Sequence, residues 1–177
     1  MDRDRPFYAA LAAGAAGAAL ALAVAPWQGA ALAQTRPETV TWTVAPQSAD
    51  PVAPGAKVAV TLRGAVLDGW HVYGLKQASG GPTPLVVSLD KSEIAVAAGA
   101  PVGSPPVKLH DAAFNLETQF YAQAFTVTAP VKIAARAPAG RQLIPVNVRF
   151  QTCNGTICQP PKTVRLSVPI NVLRADG

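Results

Sequence analysis

From residue 40 onward, apolar residues recur at every second position in short runs. In Val58-Ala59-Val60-Thr61-Leu62, the residues Val58, Val60 and Leu62 share one side of an extended chain. In Val164-Arg165-Leu166-Ser167-Val168, the apolar set is Val164, Leu166 and Val168. Successive side chains of a strand point to opposite faces, so this period marks strands buried on one face and wet on the other. The same reading places strands at Val40–Val44, Lys57–Leu62, Trp70–Leu75, Leu85–Ser88, Ile94–Ala97, Gln119–Thr126, Val131–Ala135, Leu143–Thr152 and Thr163–Val172. Pro and Gly separate these runs, and no long helical period follows residue 33. Short strands between closely spaced turns predict an all-β, antiparallel β-sandwich. Two stretches interrupt the pattern. Gln77–Pro84 reads as a flexible turn, and Pro101–Asn115 as a long connection ending in His110-Asp111-Ala112-Ala113-Phe114-Asn115.

The N-terminus has a different pattern. Arg3 and Arg5 precede an Ala/Leu-rich run from Phe7 to Ala25, and Ala31-Leu32-Ala33 stands before Gln34. This is the layout of a signal peptide over residues 1–33, with a retained membrane anchor as the alternative. Residues 34–54 read as a tether holding one strand, and residues 55–177 as one domain. Export through the signal peptide places the mature chain in a disulfide-permissive space, where cysteines are expected to pair. The chain has 15 Lys and Arg against 10 Asp and Glu, a net charge of +5. These basic residues are scattered, which argues for a solvated surface and against a nucleic-acid partner.

Two cysteines, Cys153 and Cys158, are the chain's whole complement. They bracket Asn154-Gly155-Thr156-Ile157 between two strand-like runs. Asn-Gly is a strong hairpin signal, because both residues tolerate positive φ. A hairpin here brings the sulfurs within bonding reach. A structural staple closing so short a loop is worth only about 2 kcal/mol on chain entropy. The other reading is a pair that cycles between dithiol and disulfide, since labile disulfides are the regulatory or catalytic ones. A metal site is disfavoured: His71 and His110 are the only histidines, and neither has metal-ligand spacing from the pair. No metal or other cofactor is expected. No Ser/His/Asp or paired-carboxylate arrangement points to hydrolysis.

Three segments in order resemble the N-terminal periplasmic domain family of the thiol:disulfide interchange protein DsbD. They are Asp68-Gly69-Trp70-His71-Val72-Tyr73, then His110–Phe114 with Gln119-Phe120-Tyr121, then Val148-Arg149-Phe150-Gln151-Thr152-Cys153 with Cys158-Gln159-Pro160-Pro161-Lys162. The resemblance runs from Val40 to Val172 and implies an immunoglobulin-like sandwich. It also implies thiol–disulfide exchange without a cofactor, as a protein-disulfide reductase-type electron carrier. Electrons arrive from a thioredoxin-like or transmembrane thiol donor, here on a separate chain, and pass to oxidised periplasmic thiol proteins. A monomer is expected. Carried onto this chain, Cys158 matches the cysteine that forms mixed disulfides and Cys153 the resolving one. Phe114 matches the aromatic of a cap loop, and Tyr73 a tyrosine lining the site. His71 falls where the best-known members carry another tyrosine. Those members also have one more residue between the cysteines. Their cap carries acidic residues where Ala112 and Ala113 stand here, with Asp111 one step earlier.

Each of these residues has a plainer reading as well. Phe114 is equally a loop anchor in the core, and His71 a surface histidine. Phe150 and Ile157 are expected to pack around the sulfurs and exclude water. Lys162 and Arg149 lie near the pair in sequence, either favouring a thiolate or serving as solvated strand charges. No helix follows Cys158, because Pro160 and Pro161 forbid its first hydrogen bonds. The competing function is an immunoglobulin-like binding or assembly module with a static disulfide.

Overall fold

The computed structural model describes residues 38–45 and 50–174. The leader and its cleavage site therefore lie outside the described residues, as do residues 46–49 of the tether. The strands are β1 (Val40–Val44), β2 (Lys57–Val66), β3 (His71–Tyr73), β4 (Val86–Leu89), β5 (Ala95–Ala97) and β6 (Val102–Gly103). They continue with β7 (Val107–Asp111), β8 (Leu116–Tyr121), β9 (Phe125–Ile133), β10 (Gly140–Phe150), β11 (Thr152–Cys153) and β12 (Lys162–Val172). Among the described residues there is no helix.

These strands form three antiparallel sheets. The first has the order β1-β2-β9-β5, with β6 also on β9; the second is β12-β10-β4; the third is β11-β3-β8-β7. Alternation decides which face is buried. Val60, Leu62, Val127 and Val131 of the first sheet meet Ile144, Val146, Val148 and Val168 of the second, all at most 1% exposed. Burying each such side chain contributes roughly 1.5–3 kcal/mol. The third sheet adds Val72 and Tyr121 to the same core. The result is the immunoglobulin-like β-sandwich that the sequence pattern and the resemblance together imply.

Two expectations need correction. Pro101–Asn115 is not a long loop, because it contains β6 and β7. Pro105 and Pro106 hide the alternation of Val107, Leu109 and Asp111 that follows them. Gln119–Thr126 is not one strand either. It holds the end of β8, a tight turn over 122–124 and the start of β9. In turn, β9 runs unbroken through Pro130 into the run read separately as Val131–Ala135. The Pro130 carbonyl accepts from Ala98 N at 2.9 Å. Its nitrogen thus faces the edge where β5 has ended and β6 has not begun, and the missing N–H disrupts no ladder.

The tether also contributes to the sheets. β1 pairs with β2 over its whole length, and Val52 bridges to Val172. On β2, Gly64 is the register partner of both Trp42 and Phe125. These two rings meet edge to face over it, 5.3 Å between centroids, and Phe125 stacks on Tyr121 at 4.2 Å. A Cβ at Gly64 would stand 2.5 Å from the Phe125 ring, which has neighbours on both sides. Gly64→Ala should therefore destabilise the fold by about 1–3 kcal/mol in urea unfolding. A change within experimental error would show that the aromatic cluster yields.

Candidate functional site

The site starts from a defect in the longest ladder. β10 and β12 pair in register from Gly140 opposite Val172 to Phe150 opposite Lys162. Next on the returning side are Pro161 and Pro160, which have no N–H to donate. From Phe150 to Cys153 the chain takes three steps, and from Lys162 back to Cys158 it takes four, yet the two cysteines face each other. The extra residue on the proline side is a β-bulge, which bends and twists the hairpin tip. The tip leaves the second sheet, and Thr152 and Cys153 pair instead with Val72 and His71.

Gln159 N donates to Thr152 O at 2.9 Å and Asn154 N to Ile157 O at 3.2 Å, one on each side of the cysteine pair. The cysteines thus occupy a non-hydrogen-bonded position, where opposing side chains lie closest. Their Cα atoms are 4.0 Å apart and the sulfurs are bonded. Gly155 takes positive φ (84°), but Asn154 does not. Asn154 acts through its side chain, Oδ1 accepting from Thr156 N at 3.0 Å and Ile157 N at 2.7 Å. Asn154 tolerates a left-handed turn but does not need one, because its side chain supplies the acceptor.

Register also fixes what faces the disulfide. Val72 points into the sandwich core, so His71 and Tyr73 point to the opposite face of the third sheet. Phe120 pairs with Tyr73, Leu109 with Thr118 and Asp111 with Leu116, so these residues share that outer face. Tyr73 is fully buried there. Phe114 covers it edge to face, ring centroids 5.8 Å apart, and His71 touches both Tyr73 (5.0 Å) and Phe120 (4.7 Å). Phe114 sits on the four-residue turn between β7 and β8. That turn is shaped by Asn115 in the left-handed region (φ 53°) and by Asp111 Oδ1 accepting from Ala113 N at 2.9 Å. A groove of about 240 Å³, lined by His71, Leu109, Asp111, Phe120 and Gly155 among others, opens beside the pair.

Asp111 links the parts of the site. Its Oδ2 accepts the Tyr73 hydroxyl at 2.8 Å, and that hydroxyl lies 3.8 Å from Cys158 Sγ. Burial first, then the Asp111 hydrogen bond and charge, push the Tyr73 phenol far above its ordinary range. Burial lowers the His71 imidazole, against a smaller opposing pull from Asp111. Sequence reasoning left Asp111 out of the site. The available signal was an Asp opening a turn at the end of an alternating run.

The other expected residues fall in different places. Cys153 is 1% exposed, whereas Cys158 is partly open. Phe150 belongs to the main core, its ring 5.4 Å from Trp42. Ile157 stands 60% exposed at the tip and does not exclude water from the pair. Lys162 is engaged by Glu38 in an exposed ion pair, and Arg149 is an exposed strand charge on the second sheet. Among the described residues, no group of three or more His, Cys, Asp or Glu is placed to hold a metal ion, and no helix is long and apolar enough to cross a membrane.

A bonded cysteine pair at the end of an immunoglobulin-like sandwich, under an aromatic turn, defines a class of β proteins with a site suited to sulfur chemistry. The chain belongs to the family of the N-terminal domain of the thiol:disulfide interchange protein DsbD, whose model matches residues 40–169. Membership implies thiol–disulfide exchange with other thiol proteins, and the family is in general periplasmic. A similar solved structure is the DsbD N-terminal domain of Neisseria meningitidis in its reduced form. It is 21% identical and aligns over 64% of this chain and 78% of its own, with a TM-score of 0.46. No curated protein matches the chain at the sequence level.

The raised Tyr73 phenol has a consequence for stability. An unfolded tyrosine ionises near pH ~10, while the folded Tyr73 keeps its proton. Above that pH the unfolded state binds fewer protons, so stability falls as pH rises. Burial of Tyr121 acts in the same direction. In urea unfolding followed across the alkaline range, Tyr73→Phe should fall less steeply than the parent chain. Equal slopes would mean that Tyr73 does not resist ionisation.

Proposed function

We propose that this chain is a periplasmic thiol:disulfide exchange module. It takes reducing equivalents from a thioredoxin-like or transmembrane thiol donor on a separate chain and relays them to oxidised periplasmic thiol proteins. The observation that carries this reading is the placement of the disulfide. It lies at a hairpin tip outside the main core, with one cysteine partly open and the other buried.

That asymmetry supports Cys158 as the attacking cysteine and Cys153 as the resolving one. A donor thiolate attacks the accessible Cys158 Sγ, the Cys153–Cys158 bond breaks, and Cys153 leaves with the electron pair. A second donor thiol then displaces Cys158 and completes the reduction. In the forward direction Cys158 attacks a client disulfide, and Cys153 resolves the mixed disulfide. Two cysteines suffice for both halves, without a cofactor.

Tyr73, Asp111 and Phe114 guard the pair. The Tyr73 hydroxyl donates its hydrogen bond to Asp111, so its oxygen presents lone pairs towards Cys158 Sγ. In the reduced protein, that oxygen accepts the Cys158 S–H and favours the thiol over the thiolate. Phe114 covers Tyr73 and limits casual approach. Reactivity then depends on a partner that displaces the turn bearing Phe114.

The test is trapping. Cys153→Ala should accumulate disulfide-linked adducts through Cys158 when mixed with an oxidised periplasmic extract, and Cys158→Ala should not. Equal trapping by the two variants, or none by either, would count against the relay and leave a binding module with a static disulfide.

A further inference from the structure

This inference rests on the exchange reading and concerns how the buried sulfur is activated. When the pair is reduced, Cys153 must become a thiolate to close the disulfide again. It is 1% exposed, and burial in apolar surroundings raises a thiol's pKa and opposes that step. Water does not reach it freely, so a nearby proton acceptor would remove the obstacle.

Register supplies one. Cys153 on β11 is the direct cross-strand partner of His71 on β3. Directly opposed residues hold their Cβ atoms ~4.5–5.5 Å apart on one face of the sheet. The His71 ring is held by Tyr73 and Phe120 at centroid distances of 5.0 and 4.7 Å. Its Nε2 is buried and receives no hydrogen bond from the protein. A buried ring nitrogen without a partner is costly, which calls for an explanation. The Tyr73 hydroxyl donates its hydrogen bond to Asp111, so it does not use this nitrogen. The titratable groups facing His71 are Cys153 on β11, Tyr73 on its own strand, and Asp111 and His110 of β7 across the groove.

We propose that His71 is the proton acceptor for the resolving thiol Cys153. With its proton on Nδ1, neutral His71 takes the Cys153 S–H proton at Nε2. Cys153 Sγ attacks Cys158 Sγ, the bond from Cys158 to the partner sulfur breaks, and the partner leaves as a thiolate with the electron pair. The protein dithiol is thereby oxidised and the partner reduced. The imidazolium then returns its proton to the departing thiolate or to solvent. Burial keeps His71 neutral near neutral pH, which suits it to this task.

The experiment mixes reduced protein with one equivalent of an aromatic disulfide that releases a coloured nitrothiobenzoate. The first release reports attack by Cys158, and the second reports closure by Cys153. In the parent chain, the second release should speed up as His71 loses its proton, below pH ~6.5, and then level off towards pH ~8. In His71→Phe, which keeps an aromatic ring, closure at neutral pH should slow about tenfold or more and keep rising with pH. His71→Gln, which keeps polarity without titrating, should behave in the same way and serves if the Phe variant misfolds. Parent-like rates and pH profiles in both variants would overturn the assignment of His71 alone. Absence of a second release from the parent chain would overturn the exchange reading together with it.

Discussion

Two adjacent prolines that cannot donate a hydrogen bond shape everything distinctive in this molecule. Pro160 and Pro161 end the long β10–β12 ladder at Phe150 and Lys162. The bulge that follows shifts the register by one residue and sends the hairpin tip to another sheet. A continued ladder would have kept the tip on the second sheet. Instead, Cys153 is placed opposite His71, and Cys158 beside the Tyr73 hydroxyl. The disulfide thus stands on the outer face of the β11-β3-β8-β7 sheet, separated from the sandwich core by that sheet.

The outer face forms a second, smaller cluster with its own logic. The main core is mostly aliphatic, with Trp42, Phe125, Tyr121 and Phe150 packed around Gly64 at one end. The outer cluster is aromatic and polar: Tyr73 and His71 stand beside the two cysteines, Phe114 and Phe120 pack on those rings, and one carboxylate lies beneath the turn. Asp111 ties Tyr73 to the turn that bears Phe114 by accepting one hydrogen bond with each carboxylate oxygen. Opening of the turn and the hydrogen bonding around Cys158 are therefore coupled through one side chain. In the members that the sequence resembles, the acidic residues sit closer to the aromatic. Here Asp111 reaches the site through the phenol.

Much of the fold was legible in the sequence, for identifiable reasons. Strict alternation in Val58–Leu62 and Val164–Val168 placed the correct faces inwards. The hairpin at Asn154-Gly155 was legible from its turn residues, although Asn154 serves through its side chain and only Gly155 through positive φ. What failed were the places where proline misleads. Pro105 and Pro106 concealed β7, and Pro130 split β9, although its missing N–H faces a gap in the sheet. In the site, the cysteines were visible from their spacing, and Tyr73, His71 and Phe114 by resemblance; the structure gathers them on one face. Asp111 was passed over because its importance depends on a hydrogen bond between residues 38 positions apart. Ile157 and Phe150 were expected around the sulfurs. Phe150 lies before the bulge and simply continues the inward alternation of Ile144, Val146 and Val148; Ile157 lies beyond the bulge, which resets the count.

The reduction potential of Cys153–Cys158 tests the central claim most directly. The purified protein would be equilibrated with thiol redox buffers and its free thiols counted. An exchanging pair should lie between roughly −270 and −180 mV, where it can both accept and pass on electrons. A value below about −300 mV would mark a structural bond and contradict the relay.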